Sequence, residues 1–331
     1  VCDVMPLRKL NRLIALVVLK NFDINKNLAF KELFNLNNKK NKLTINDLGY
    51  LIGPILNAGG RLGKSSFASV LLSSDNFRVI NIKSNELIKL NNKRKEIETL
   101  TLDEIDFQKI EKENKDVVVY YNPNINEGLI GIIAARLKDY FNKPSIVITN
   151  SNELLKGSAR SVHNYNIGRA IKNSLDRNIV NSGGGHNMAA GFTLEKINLN
   201  KFKNFILKDF SNSGTIKDYM LLYDAEISSI ALNKDFYANI SKLEPFGTGN
   251  PEPTFLLRGL KVIKASILNK KHISLILKSK TGFSIKSISF NSANNKVGEY
   301  LLNYKNDLDI LGQINENIWN NKKTLQLTIR D

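Results

Sequence analysis

Asp116–Tyr121 (DVVVYY), Gly128–Tyr140 (GLIGIIAARLKDY) and Ser145–Thr149 (SIVIT) come one after another with only short gaps. The first and third are short runs rich in β-branched residues, the pattern of buried strands. The middle run is apolar with Arg136 and Lys138 late in it, where cations suit the C-terminal end of a helix dipole. Strand, helix and strand at this spacing predict an α/β unit over residues 113–212.

Outward from this unit the character of the chain changes. Upstream, residues 65–112 show helical spacing through Leu87, Leu90, Arg94 and Ile97, which predicts a connecting helix or helix pair. Residues 1–64 read as the end of another α/β domain. They hold a strand-like Val1-Cys2-Asp3-Val4, a helical stretch from Leu10 to Leu19, a polar loop from Asn35 to Asn41, and a turn at Gly53-Pro54 and Gly59-Gly60. A chain that opens at Val1 in mid-strand is expected to be truncated at that end. Downstream, residues 220–331 alternate in short runs: Leu260–Leu268, His272–Leu277, Phe283–Phe290, Leu308–Ile314 and Thr324–Ile329. Helices are expected at Leu232–Leu243 and Asn294–Asn303. Five short strands in about 100 residues suggest a small barrel such as an OB-fold, which either tracks a single strand or is purely structural.

Composition narrows the class. Lys and Arg number 48 against 31 Asp and Glu, a formal net charge of +17. Such a balance suits a polyanionic partner, although AT-rich codons alone would enrich Lys, Asn and Ile. Leu13–Leu19 is far shorter than the roughly 20 apolar residues a membrane span needs, so no membrane role is expected. With Cys2 as the single cysteine, an internal disulfide and a Cys-based zinc site are excluded, and a reducing, cytoplasmic setting fits.

Four segments carry chemistry. Gly183-Gly184-Gly185-His186-Asn187-Met188-Ala189-Ala190-Gly191 reads as a loop whose glycines allow close approach to a ligand and positive φ, with His186 at its exit able to donate to a phosphate. Lys156-Gly157-Ser158-Ala159-Arg160-Ser161 offers a planar guanidinium and short hydroxyl donors at a strand end, a phosphate clamp or else a solvated surface patch. Arg61, within Gly53–Gly63, is bracketed by glycines close to a helix start, an arrangement suited to an anion or to an interdomain turn. Asp3 ends an apolar strand, a position that suits a metal ligand, though such an aspartate is more often a turn-former.

These segments, in this order, resemble the RecJ single-stranded-DNA exonucleases of the DHH phosphoesterase superfamily. The match runs through Cys2–Leu7 with Asn11-Arg12, Asn57–Gly63, Gly128–Ala134, Gly157–Ser161, Gly184–Gly191 and Pro245–Pro253, nearly the whole chain. The resemblance implies the end of a DHH α/β domain (1–64), a connecting helix (65–112), a DHH-associated α/β domain (113–212) and a C-terminal OB-fold β-barrel (220–331). It implies 5′-to-3′ hydrolysis of single-stranded DNA in repair and recombination, with two Mn2+ or Mg2+ ions activating water and stabilising the leaving oxygen. It assigns Asp3 to the metal. Arg61, Arg94, Ser158, Arg160, Ser161, Gly184, Gly185 and His186 fall to the substrate, with His186 also a candidate catalytic residue. A single-strand-binding protein and a RecQ-type helicase are the implied partners.

Departures from the family pattern bear on activity. The Asp-His-His triplet is absent, the histidines being His163, His186 and His272, and Ile125-Asn126 stand where the family carries Trp-His. One carboxylate cannot hold two divalent ions, so the chain by itself is expected to be inactive. Two alternatives stay open: an oligoribonuclease or cyclic-dinucleotide phosphodiesterase of the same superfamily, and a non-catalytic protein that binds single-stranded nucleic acid. The barrel after residue 220 weighs against the first, because those proteins generally end after the associated domain.

Overall fold

The structure, a computed structural model, describes residues 5–39, 42–113, 116–214, 221–293, 295–303, 306–319 and 322–331. Asp3 and the strand-like Val1–Val4 lie outside the described residues. The chain forms two compact units. One joins residues 5–22 to residues 221–331, and the other runs from residue 23 to residue 214.

In chain order, α1 (Lys9–Asn21) belongs to the first of these units. The second begins with α2 (Leu28–Leu36), α3 (Ile45–Asp47), α4 (Gly53–Arg61), α5 (Ser66–Ser73), α6 (Phe77–Asp103) and α7 (Phe107–Glu113). Helix α6 starts at Asn76, whose side chain accepts from the Arg78 and Val79 amides. Its buried residues are Ile80, Ser84, Leu87, Asn91, Arg94 and Glu98. Steps of three and four place them on one stripe. The stripe starts apolar against the neighbouring helices and ends charged. Spacing alone predicts Leu90 and Ile97 on it, yet both are only half-buried. The Arg94–Glu98 ion pair occupies the inner position instead.

The turn expected at Gly53–Gly60 is helix α4. Gly59 serves close packing there: a Cβ would lie 2.6 Å from the Lys64 carbonyl oxygen and 3.2 Å from Leu87 Cδ2. The actual turn comes later, at Gly63 with φ +77°, where the Lys64 amide donates to the Gly59 carbonyl.

The α/β part matches the sequence reading closely. It contains β1 (Val118–Tyr121), α8 (Ile130–Phe141), β2 (Ser145–Ser151), β3 (Leu154–Arg160), α9 (Ile167–Asp176), β4 (Ser182–His186), β5 (Ala189–Leu194) and α10 (Leu199–Asn212). The sheet order is β1-β2-β3-β5-β4. Strands β1 and β2 are parallel, joined by α8 as a crossover, and the other neighbours are antiparallel. Strand periodicity sorts the faces. Val118 and Val147 pack with Ile130, Ile133 and Leu137 of α8. Val119, Ile146 and Ile148 pack on the other face with Ile171 of α9 and Phe202 and Ile206 of α10.

The glycine string 183–185 corrects its reading as a loop. It is strand β4 at the sheet edge, none of the three glycines has positive φ, and the turn is Asn187-Met188. Gly183 and Gly185 answer to space rather than torsion, since a Cβ on Gly183 would lie 2.7 Å from Ile171 Cγ2 and one on Gly185 2.3 Å from the Ala189 carbonyl oxygen.

The other unit is the expected barrel. Its elements are β6 (Ala225–Glu226), α11 (Lys234–Ser241), β7 (Phe255–Leu268), β8 (His272–Lys278), β9 (Ser284–Ser289), α12 (Lys296–Asn303), β10 (Leu308–Trp319) and β11 (Lys322–Ile329). The order β10-β11-β9-β8-β7 closes through pairing of β10 with β7, which removes the open edges. Leu257, Ile273, Leu275, Leu277, Ile285, Ile314 and Leu327 fill it. Residues 5–22, read from sequence as part of a segment reaching to residue 64, dock on the Pro245–Pro253 turn of this unit. The Leu7 amide donates to the Thr248 carbonyl, Arg8 Nε to the Gly249 carbonyl at 2.7 Å, and Arg12 Nη2 to the Leu243 carbonyl at 2.9 Å.

The contact at Gly59 gives a stability test. Gly59→Ala forces a methyl against backbone, and overpacking costs about 1–3 kcal/mol, more than the roughly 0.8–1 kcal/mol that Ala gains over Gly inside a helix. Urea denaturation should show a net loss; a net gain would mean that the Lys64 turn has slack.

Candidate functional site

Strand β3 alternates. Leu155 and Ala159 enter the α9–α10 core, so Ser158 and Arg160 project to the α8 face. Arg160 Nη1 lies 3.2 Å from Ser158 Oγ and donates to the Ala159 carbonyl at 2.8 Å. The start of α8 closes over them. A Cβ on Gly131 would lie 2.9 Å from Arg160 Nη2 and 3.1 Å from Ser158 Oγ, so a glycine is what leaves room for the guanidinium.

Arg61 arrives from the end of α4. Its Nη1 donates to the Gly128 carbonyl at 3.1 Å, and a Cβ on Gly128 would lie 2.2 Å from the Arg61 carbonyl oxygen. The two elements therefore meet backbone to backbone. The Gly128 amide in turn donates to Asn126 Oδ1 at 2.9 Å, a local turn that leads the chain into α8. Ile125 is buried in the core.

Electrostatics single out two of the arginines. Burial holds the Arg61 guanidinium below its ordinary pKa, the Arg94 charge adds to this, and Glu98 opposes it. Burial likewise lowers Arg160, helped by the Arg61 charge. Among the described residues neither Arg61 nor Arg160 has a carboxylate in ion-pair contact, because Glu98 is engaged by Arg94 at 2.7 Å and by Arg136 at 2.8 Å. Two half-buried cations beside the positive end of α8 are unfavourable unless an anion joins them. Their planar forks, the Ser158 hydroxyl and the helix start together suit an oxyanion with several acceptor oxygens.

Pairing registers extend the site across the sheet. Ser158 pairs with Gly191, which pairs with Gly184; Arg160 pairs with Ala189, which pairs with His186. Antiparallel partners share a face, so Arg160 and His186 bound a strip two strand spacings wide, about 10 Å. It is paved by Gly191, Ala189 and Gly184. A Cβ on Gly184 would meet nothing within 4 Å, so this face is open. His186 and Gly185 are exposed.

Two sequence assignments change. Ser161 is buried to 1% and its Oγ donates to the Tyr165 carbonyl at 2.6 Å, so it holds the backbone after β3 and does not face the strip. Arg94 is buried and bonded to Glu98 and to Asn91 Oδ1, which makes it a neighbour of Arg61 rather than a ligand contact. The sequence reading missed Gly131, Glu98 and Arg136. For Gly131 a signal existed, since a glycine inside an apolar helix is costly and asks for a packing reason. Among the described residues no group of three or more His, Cys, Asp or Glu side chains could hold a metal ion, so no metal-dependent step is assigned to them.

A family model described as the DHHA1 domain matches residues 114–212, and one described as the RecJ OB domain matches residues 223–331. The single-stranded-DNA-specific exonuclease RecJ of Bacillus subtilis (strain 168) is 28% identical over 344 residues, covering 100% of this chain and 42% of that protein. The protein of the same name from Escherichia coli (strain K12) is 29% identical over 351 residues, covering 96% and 59%. The crystal structure of RecJ in complex with Mn2+ from Thermus thermophilus matches with TM-score 0.79 at 23% identity, covering 100% of this chain and 47% of that one, a likeness of fold. The chain thus spans about half the length of these relatives.

The Gly131 contact gives a test of the site. Gly131→Ala places its methyl against the flexible end of Arg160, so folding should be preserved while the guanidinium is displaced. Inorganic phosphate, titrated while the arginine Nε–H signals are monitored by NMR, should bind about tenfold more weakly, the scale of a lost charge-assisted hydrogen bond. Unchanged affinity would place the anion elsewhere.

Proposed function

Because the chain belongs to the RecJ family, with a DHHA1 domain followed by a RecJ OB domain, we propose that it grips single-stranded DNA for a 5′-to-3′ exonuclease of DNA repair and recombination. The observation that carries this reading is the pair Arg61 and Arg160, half-buried beside the start of α8 with no carboxylate of their own among the described residues. A terminal phosphate supplies the missing charge and oxygens. Ser158 adds a hydroxyl to the same phosphate, and the strip toward His186 and Gly184 lets the next nucleotide lie close to backbone.

The barrel unit would hold the trailing strand with less discrimination. Lys261, Lys278 and Lys280 line a hollow of about 200 Å3 on it, and barrels of this kind track a backbone through positive charge. Hydrolysis would use Mn2+ or Mg2+, as the metal-bound RecJ structures from Thermus thermophilus suggest. Arg61 and Arg160 would contribute by fixing the end of the strand and by withdrawing charge from its phosphate. A single-strand-binding protein and a RecQ-type helicase are the expected partners, in the cytoplasm. Among the described residues no helix is long and apolar enough to cross a membrane.

The test compares end groups. Arg160→Ala should cost roughly 1.5–3 kcal/mol on 5′-phosphorylated single strands, the scale of a hydrogen bond to a charged group, and much less on 5′-hydroxyl strands. Affinity of the unaltered chain should fall with salt by about 0.7 log units per log unit for each phosphate neutralised. Fluorescence anisotropy reads both, the first at fixed salt and the second across a salt series. Equal loss on the two ends would reduce Arg160 to one more backbone contact.

A further inference from the structure

Glu98 is 7% exposed, and its two oxygens serve different helices. Oε2 takes Arg94 Nη1 of α6 at 2.7 Å, and Oε1 takes Arg136 Nε of α8 at 2.8 Å. Arg136 lies beyond Gly131 on the same helix, so this bond holds the helix whose first turn rests on Arg160 and Ser158. Helix α6 in turn packs through Leu87 on Gly59 of α4, the helix that ends in Arg61. The carboxylate therefore lies on the short mechanical path between Arg61, which bonds the Gly128 carbonyl just before α8, and Arg160, which borders the open strip. Hydrogen bonds to charged groups, with both oxygens occupied in a buried place, are among the stronger local constraints.

Resting on the phosphate reading above, we propose that Glu98 is a positioning residue that fixes α8 against α6 and so sets the separation of Arg61 and Arg160 that a terminal phosphate requires. Its charge also offsets the Arg94 guanidinium, which would otherwise push Arg61 away. A purely electrostatic role makes the opposite prediction. A negative charge beside an anion site weakens anion binding, so neutralising it should strengthen binding if position did not matter.

That difference in sign is the test. Glu98→Gln keeps the shape and removes the charge. Anisotropy titrations with 5′-phosphorylated and 5′-hydroxyl single strands are run on the full chain at fixed salt. Positioning predicts that Glu98→Gln loses about tenfold on the phosphorylated end, the scale of a weakened charge-assisted bond, with the hydroxyl end unchanged. Equal or tighter binding of the phosphorylated end overturns the proposal. If the unaltered chain does not distinguish the two ends, the phosphate reading falls and this inference with it. If it does and Glu98→Gln retains the preference, this inference falls alone. Should Glu98→Gln fail to fold by circular dichroism, Arg136→Gln gives the same information. Its side chain is 52% exposed, so its loss leaves no buried gap. It cuts the bridge at α8, and an undiminished preference for the phosphorylated end then overturns the proposal.

Discussion

A guanidinium taken partly out of water needs an anion near it, and residues 23–214 are arranged around two that have none of their own among the described residues. Arg61 and Arg160 come from different elements. Burial lowers the pKa of both, and the Arg61 charge lowers Arg160 further. Keeping them together requires compensation elsewhere. Close packing supplies part of it: the turn before α8 meets α4 at Gly128 and α8 meets β3 at Gly131, where a side chain would collide with backbone or with the guanidinium itself. The apolar faces of the sheet supply the rest, with Val118 and Val147 buried on the α8 side and Ile146 and Ile148 on the other. The fold holds the charges close at some expense to itself, a common arrangement where a ligand is meant to complete the balance.

Much of this is legible in the sequence, and the reasons are local. The α/β unit can be read because strand and helix periods alternate cleanly between Asp116 and Thr149, and the barrel because its strands are short and evenly spaced. Arg61, Ser158 and Arg160 stand out because each lies among small residues. Hidden from the sequence is whatever depends on an unseen partner. Glycines 59, 183 and 185 read as turns, since their real purpose is contact with Lys64, Leu87, Ile171 and Ala189. Ser161 reads as a donor to a ligand, but its hydroxyl belongs to Tyr165. Arg94 is assigned to the substrate by resemblance, but Glu98, one helical turn on, takes it.

The beginning of the chain teaches the same lesson. Proximity in sequence groups residues 5–22 with their successors up to residue 64, yet hydrogen bonds join them to residues 243–249. The Pro245–Pro253 turn offers several carbonyls outward, and Gly249 at φ +78° aims one of them at Arg8. Pattern alone marks a turn there. It does not show which arginine, 241 residues away, will use it.

The two charges without a carboxylate among the described residues also bear on which phosphate the proposed site would prefer. An internal phosphodiester carries one negative charge, whereas a phosphate monoester carries about −1.5 to −2 near neutral pH and offers an additional charged oxygen. Arg61 and Arg160 present two cations with no carboxylate of their own among the described residues, and Ser158 a third polar contact. A diester placed there would leave one positive charge unbalanced. A monoester satisfies both and has an oxygen left for the hydroxyl. Because arginine stays protonated across the accessible pH range, the match would be set by the ionisation of the ligand, and a phosphate site of this kind would discriminate an end from a middle by charge before any shape is read.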